Sequence, residues 1–266
     1  MRKDYQIIED GSFEINEIDA VEKQWTNIWD KSGWKQRRVK YFKYKEEYRV
    51  MLPFLKKLEP GAKGLDGGCG LGEWILFLSK HKFNIVGIDI SKVLVEKLNK
   101  LMKEYKFILG DIRNLEFKND SLDFYYSWGT FEHFEEGLDP CIKEAYRVLK
   151  PNGYLFISVP YDNLRHSLKS IFISKSKVKA KKKLERFYQW RLTQSELSHY
   201  LSRNGFNVEK VKIIHKRQGI QRFFQQNFYM RPTSFICRLM ALILCPFIPG
   251  KLIGHMIIAA AVKVKH

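Results

Sequence analysis

Cysteine is scarce in this 266-residue chain, and its four copies, Cys69, Cys141, Cys237 and Cys245, form no C-x-x-C pair and no ligand cluster. That spacing argues against a disulfide framework and offers no metal site. The N-terminus, Met1-Arg-Lys-Asp-Tyr-Gln, lacks an apolar signal core, so the expected location is a reducing cytoplasm. The strongly apolar stretch Phe235 to Pro249 is interrupted by Arg238 and closed by Pro246 and Pro249. It is shorter than the ~20 apolar residues that a bilayer span requires. No internal repeat is evident. Acidic residues nearly vanish from one part of the chain: residues 164–266 carry 3 against 21 basic ones, while residues 1–60 carry 11 against 13 and residues 61–163 carry 15 against 13. The whole formal excess of +18 therefore belongs to the C-terminal portion, densest from Lys169 to Arg186. Such a patch reads either as a neighbour of an anionic surface or as a solvated loop. The length suits one α/β domain with accessory elements.

Against that background, Gly64 to Gly72, reading Gly-Leu-Asp-Gly-Gly-Cys-Gly-Leu-Gly, is the most informative segment. Glycine at Gly68, Gly70 and Gly72 permits a tight turn from strand to helix and lets backbone N–H groups face a ligand. Asp66 falls at the strand's carboxyl end, where open α/β sheets bind ligands. The dinucleotide pattern G-x-G-x-x-G is not met, because the third glycine comes one place early and Glu73 stands where Gly or Ala is expected. A pyrophosphate fits such a loop poorly; a ligand with a ribose and a cationic ammonium end suits it better. A glycine-rich surface turn is the alternative for the loop alone. Downstream, Asn84 to Asp89 is an apolar run ending in an acid about twenty residues on, the placement of a carboxylate that meets ribose hydroxyls. Ser91 is a candidate N-cap for a helix with Val93, Leu94, Leu98 and Leu101 at helical spacing. Phe107 to Asp111 gives a third strand closed by an acid.

At these residues the sequence resembles the class I S-adenosylmethionine-dependent methyltransferases, in particular the small-molecule group that includes the ubiquinone and menaquinone biosynthesis enzymes. The resemblance spans about Gly61 to Pro160. It is carried by Leu65 to Gly72, Gly87-Ile-Asp-Ile-Ser91, Gly110-Asp-Ile112, Leu122 to Ser127 with Glu132-His133, and Ala145 to Pro160. It implies an α/β fold with a Rossmann-like, doubly wound, seven-stranded sheet, mostly parallel with an antiparallel last strand. It also implies S-adenosyl-L-methionine as cofactor, held through its methionine part by Asp66 and the Gly68, Gly70 and Gly72 loop. Asp89, followed by Ile90, would hold the ribose, Asp111 with the Ile112 backbone would read the adenine, and Ser127 and Trp128 would line the methionine end. Methyltransferases acting on exocyclic amino groups of bases show an acid or Asn followed by Pro-Pro and an aromatic after the fourth strand. Ser127-Trp-Gly-Thr130 stands there instead, which disfavours base N-methylation. Trp128 either stacks on the cofactor or fills the pocket floor. His133 is read first as a structural residue and second as a general base.

Three regions follow from this reading: an N-terminal helical cap over 1–60, a cofactor-binding core over 61–163, and a completion of the sheet over 164–266 with a basic insertion at 169–186 and an apolar one at 235–249. In the cap, Trp25, Trp29 and Trp34 precede Tyr41 to Tyr48 and the apolar Val50 to Leu58, suggesting one or two helices over the cleft. Thr193-Gln-Ser-Glu196 is a capping box that starts a helix ending at Asn204-Gly205. Phe206 to Ile214 and His255 to Lys263 read as the sixth and seventh strands.

Because a sulfonium methyl is already activated, such an enzyme mainly positions a nucleophile in line and excludes water. A general base is optional; His133, Tyr161 and His166 are candidates that the sequence does not rank. The leading expectation is methyl transfer to a small-molecule or lipid-linked acceptor, with the protein peripheral on an anionic membrane surface. The apolar stretch is open between a buried cap helix, a homodimer contact and an interfacial helix. The alternatives are an RNA-directed methyltransferase, with Phe223, Phe224 and Tyr229 stacking on single strands, and a cofactor-binding interaction protein without turnover.

Overall fold

The computed structural model describes residues 1–7, 26, 39–165 and 185–264. Trp25, Trp29, Trp34, His166 and the lysines from Lys169 to Lys183 lie outside the described residues. The elements run β1 (Arg2–Ile7), a 3-10 turn (Val39–Tyr44), α1 (Glu46–Leu55), β2 (Lys63–Gly67), α2 (Glu73–Leu78), β3 (Asn84–Asp89), α3 (Lys92–Leu101), β4 (Lys106–Leu109) and β5 (Leu122–Trp128). A second 3-10 turn (Phe131–His133) leads to α4 (Asp139–Val148), β6 (Leu149–Pro160) and β7 (Glu185–Arg191). The chain continues through α5 (Gln194–Arg203), β8 (Phe206–Ile214), α6 (Lys216–Phe228), α7 (Phe235–Leu244), α8 (Gly250–Ile253) and β9 (Met256–Lys263).

Seven strands form one sheet in the order β4-β3-β2-β5-β6-β9-β8, in which β9 runs antiparallel to both β6 and β8 and the pairs from β4 to β6 are parallel. The fold expected from the sequence is thus the one observed. Central strands are covered on both faces, so β5 reads almost continuously apolar. Its side chains still alternate: Tyr125 joins the core layer with Leu65, Ile142, Leu197 and Ile257. Phe124 and Tyr126 join the opposite layer with Met51, Ile75, Leu94 and Ile258. Because β2, β3, β4 and β5 are parallel and in register, their carboxyl ends open on one edge. Strand order reverses there between β2 and β5, which is where this architecture leaves a crevice.

Local signals explain most helix boundaries. Ser91 caps α3, its Oγ accepting from Leu94 N. The buried face of α3 is Leu94, Val95 and Leu98, whereas Val93 and Leu101 are exposed. The sequence spacing had placed those two inward; the narrow stripe that fits against the sheet leaves them out. Thr193 and Glu196 form the capping box of α5, and Gly205 closes it at φ +87°.

Two features go beyond what the sequence signalled. Arg2–Ile7, inside the expected helical cap, is a strand paired antiparallel with β7, from Arg2 opposite Arg191 to Ile7 opposite Glu185. The Asp4 carboxylate accepts from Arg191 and Gln189 across this ribbon, and the Met1 ammonium pairs with Glu196. The second feature is the helical layer α6 to α8, with its own small core of Ile220, Phe224, Cys237, Ala241 and Ile253. Gly219 permits it, since a Cβ there would lie 1.7 Å from the Ile253 carbonyl oxygen. In α7 the small residues Cys237 and Ala241 face inward, while Phe235, Ile236 and Ile243 are each more than half exposed. A buried cap helix is therefore not what this segment forms. No helix among the described residues is long and apolar enough to cross a membrane. Phe224 is buried and its ring packs on Phe223 and Phe228, so it is not the stacking platform suggested for nucleic acid.

Candidate functional site

The turn after β2 is shaped by what surrounds it. Gly68 adopts φ +74°, and a Cβ there would lie 2.4 Å from Thr130 Oγ1. Gly72 adopts φ +67° at the start of α2, and its Cβ would meet the Phe107 ring at 2.8 Å. Ser127 is buried and donates its hydroxyl to the Gly67 carbonyl at 2.6 Å, pinning β5 to the turn. The loop amides do not behave as the sequence suggested. Gly68 N and Cys69 N both donate to the Ile88 carbonyl, at 2.8 and 3.0 Å, and Gly70 N donates to Asp89 Oδ2 at 3.0 Å. The parallel neighbour β3 ends within reach of the turn, so three amides that could have faced a ligand hold the loop to that strand.

A cavity of about 270 Å³ opens beside this loop, near the lower end of small-molecule sites. Asp66, Gly68, Gly70, Asp89, Ile90, Asp111, Ile112, Trp128 and His133 line it. Gly72 and Ser127 do not; they shape its wall. Tyr161 is buried and is not among the lining residues.

Asp66 is the unusual member. It is 2 % exposed, and its Oδ2 has no hydrogen-bond partner among the described residues. Burial pushes its carboxyl well above the usual range; the Tyr126 hydroxyl beside it partly offsets this and the Asp89 charge adds to it. Asp89, by contrast, accepts from Gly70 N through Oδ2 and from Ser91 N through Oδ1, both at 3.0 Å. Asp111 lines the cavity, but its carboxylate is clamped by Arg113, with Nε at 3.1 and 3.0 Å, Nη2 at 2.7 Å and the Arg113 amide at 2.8 Å. Arg113 in turn reaches Glu136 at 2.9 Å and stacks 4.2 Å from the centre of the Phe134 ring.

Trp128 stands in an aromatic wall, 5.5 Å from Trp74 and 5.7 Å from Tyr126, and lines the cavity with a buried Nε1 that has no partner among the described residues. His133 is held by its Nδ1, 2.8 Å from the Tyr188 carbonyl; since a carbonyl only accepts, the proton is on Nδ1. Burial pulls the His133 pKa down to about 4, against a smaller upward push from that carbonyl. Burial also raises neighbouring Glu132 to about 8, so at pH 7 the pair is neutral. Sequence reasoning missed Lys45, Glu47, Trp74, Thr130 and Phe134, all lining residues. The Lys45 ammonium lies 3.8 Å from the Phe42 ring centre, and buried Glu47 pairs with His215 at 3.0 Å. Burial raises the Glu47 carboxyl, but the His215 contact, a backbone hydrogen bond and the Lys45 charge together outweigh it and the net shift is downward. Only Thr130 had a signal, its position directly after β5.

S-Adenosylmethionine fits this donor set. A buried carboxylate with one oxygen unpartnered among the described residues suits a cation, a second carboxylate, Asp89, lines the same cavity, and an aromatic wall closes one side. Residues 65–157 match the family model of the methyltransferase domain. Demethylmenaquinone methyltransferase of Staphylococcus saprophyticus is 31% identical over 104 residues, covering 37% of this chain and 44% of that protein. The Staphylococcus haemolyticus protein of the same name is 28% identical over 192 residues, covering 63% of this chain and 79% of its own. This chain thus spans less than half the length of the first of these relatives. A solved SAM-dependent methyltransferase from Methanosarcina mazei shares the fold at a TM-score of 0.56 and 18% identity, over 80% of this chain and 98% of that one. Over residues 65–157 this chain is thus similar in sequence to the methyltransferase domain, and in fold to a solved S-adenosylmethionine-dependent methyltransferase.

Proposed function

We propose that this chain transfers the methyl group of S-adenosylmethionine to a small-molecule or lipid-linked acceptor reached from a membrane surface. Asp66 carries the reading: a carboxylate this buried, with one oxygen unpartnered among the described residues, is costly unless a cation completes it. An α-ammonium group supplies that cation, and Asp89 beside it takes the ribose hydroxyls. When bound, the cofactor supplies a methyl group activated by its sulfonium. What the chain adds is position and dryness. The Trp74, Trp128 and Phe134 rings keep water from the reacting end, and Thr130 and His133 border the space left for an acceptor. An imidazole with a pKa near 4 is a weak proton acceptor at pH 7, so His133 orients rather than deprotonates, and no general base is assigned.

The membrane part rests on α7. Its exposed Phe235, Ile236 and Ile243 stand in sequence between exposed Tyr229 and Phe247, with Arg231, Arg238 and Lys251 interspersed or following. An apolar face joined to basic side chains meets the two-signal requirement for stable attachment. The relatives' printed names, which specify demethylmenaquinone, favour an acceptor of the quinone type. Incubating the protein with labelled cofactor and fractionated lysate tests the proposal. Label should enter the lipid or small-molecule fraction; label in RNA alone, or in nothing, contradicts it.

A further inference from the structure

A second, smaller cavity lies where β7 and the end of β6 meet the α6–α8 layer. It is lined by Asn163, Arg165, Arg191, Arg222, Gln226 and His255, with the Gly219 and Gly254 backbone on one side. Three guanidinium groups on one cavity are hard to explain structurally. Arg165 Nε and Nη1 are buried and have no hydrogen-bond partner among the described residues. Arg191 is 7 % exposed and buries an Nη1 with no partner among the described residues, although its Nε is paired with Asp4. Burial and the Arg191 charge both depress Arg165 and Arg222, so these cations repel one another in the protein as it stands. Of the acids whose charge reaches Arg191, Glu132 is neutral at pH 7, and Asp4 and Asp162 are each also paired with Arg2. Counting Arg2, four guanidinium groups face two carboxylates, and about two positive charges remain uncompensated.

We propose that Arg165, Arg191 and Arg222 form a receptor for a single phosphoryl group carried by the methyl acceptor, an inference that rests on the methyl-transfer reading for the word acceptor but not for the anion. A phosphate monoester carries about −1.5 to −2 at neutral pH and presents three acceptor oxygens, matching the residual charge and the unpartnered donors, whereas a carboxylate would match half of the charge. The cavity, about 20 Å³, is little more than the 10–15 Å³ that one water needs, so a phosphoryl group enters only as the Arg165 and Arg222 side chains swing outward around it, and a nucleotide is excluded. Its neighbour is the donor cavity. Tyr188 lies between them: its carbonyl receives His133 Nδ1 at 2.8 Å, its ring packs against the His133 ring at 5.2 Å, and its phenol feels the Arg222 charge. A molecule anchored by its phosphoryl group at the arginines would extend toward His133 and Thr130. Gly219 is what lets α6 bring Arg222 close to the 253–255 backbone.

The full chain, with Arg165→Gln and Arg222→Gln as separate variants, tests this with two probes. Arg191 is left intact because its bond to Asp4 ties β7 to β1. The probes are glycerol 3-phosphate in solution and phosphatidylcholine vesicles with and without phosphatidic acid. Retained binding of S-adenosylhomocysteine certifies that the variants are folded. Calorimetry should show one glycerol 3-phosphate per chain, weakened about tenfold or more by either substitution, the weight of one charge-assisted hydrogen bond. Arginine-dependent binding of the soluble ester assigns the site to a free phosphate. Arginine-dependent gain on phosphatidic acid vesicles alone assigns it to a lipid head group. Binding of neither probe, or equal binding by wild type and both variants, overturns the proposal. Phosphate binding without S-adenosylhomocysteine binding in the wild type would sink the methyl-transfer reading and leave the anion site standing; the reverse would sink the anion site alone.

Discussion

Replacing Asp66 by Asn separates stability from function in a way that few other substitutions would. The carboxylate is 2 % exposed and one of its oxygens has no partner among the described residues, a situation that costs a native protein about 1–3 kcal/mol. An amide of the same shape removes the buried charge, so the ligand-free variant should be more stable by a similar amount, raising Tm by about 2–4 °C per kcal/mol at this size. The pH dependence has a definite sign. Because burial raises the Asp66 pKa in the folded protein above its unfolded value, the native state binds more protons in the window between the two, and wild-type stability falls as pH climbs through it. The advantage of Asp66→Asn should therefore be larger at pH 8 than at pH 5. Cofactor affinity should move the other way, since losing a charge-assisted contact worth about 1.5–3 kcal/mol weakens binding roughly 10- to 150-fold. Thermal unfolding with and without S-adenosylhomocysteine, at both pH values, reads all of this. A variant that is less stable without ligand, or that binds as tightly as wild type, would refute the argument that Asp66 is a carboxylate held ready for a cation.

Thr193→Ala removes the α5 capping box and should cost about 1 kcal/mol, seen as a Tm drop of a few degrees with unchanged S-adenosylhomocysteine affinity. Gly68→Ala adds a Cβ against Thr130 at φ +74° and should destabilise by about 1–3 kcal/mol and abolish cofactor binding; adding Thr130→Ala should relieve the contact but not the backbone strain. With its pKa lowered to about 4, His133 makes the protein lose stability as pH falls from about 6.5 toward 4, because only the unfolded chain takes up that proton; His133→Gln should flatten this slope in denaturant titrations. Ile236→Gln with Ile243→Gln on the outer face of α7 should leave Tm within a degree or two and reduce co-sedimentation with anionic vesicles severalfold.

What the sequence made legible was local. The strand-then-acid rhythm at Asp66, Asp89 and Asp111 works because a parallel sheet puts each strand's last residues on one edge, so three short patterns report one cavity. Ser91 and Thr193 announced their helices because caps act within three residues. The pairing of Arg2–Ile7 with Glu185–Arg191 had no such signal, since its partners are far apart in the chain and the strand is mostly polar. Lys45 and Glu47 reach the cavity only through the way α1 folds over it. At the site itself, the spacing correctly located the glycine turn but not where its amides point, because that depends on how far β3 extends. It located Asp111 but not the Arg113 clamp, which takes up much of the carboxylate's accepting capacity. The three-arginine cavity was invisible for the same reason: Arg165, Arg191 and Arg222 meet only after the sheet is complete.

The most direct test of the central claim is calorimetric titration of the purified chain with S-adenosylmethionine, alongside Asp89→Asn and Asp89→Ala. One molecule should bind per chain, Asp89→Asn should weaken it by about tenfold or more, and Asp89→Ala should remove measurable heat. No heat from the wild type, or the same affinity in all three proteins, would contradict the account.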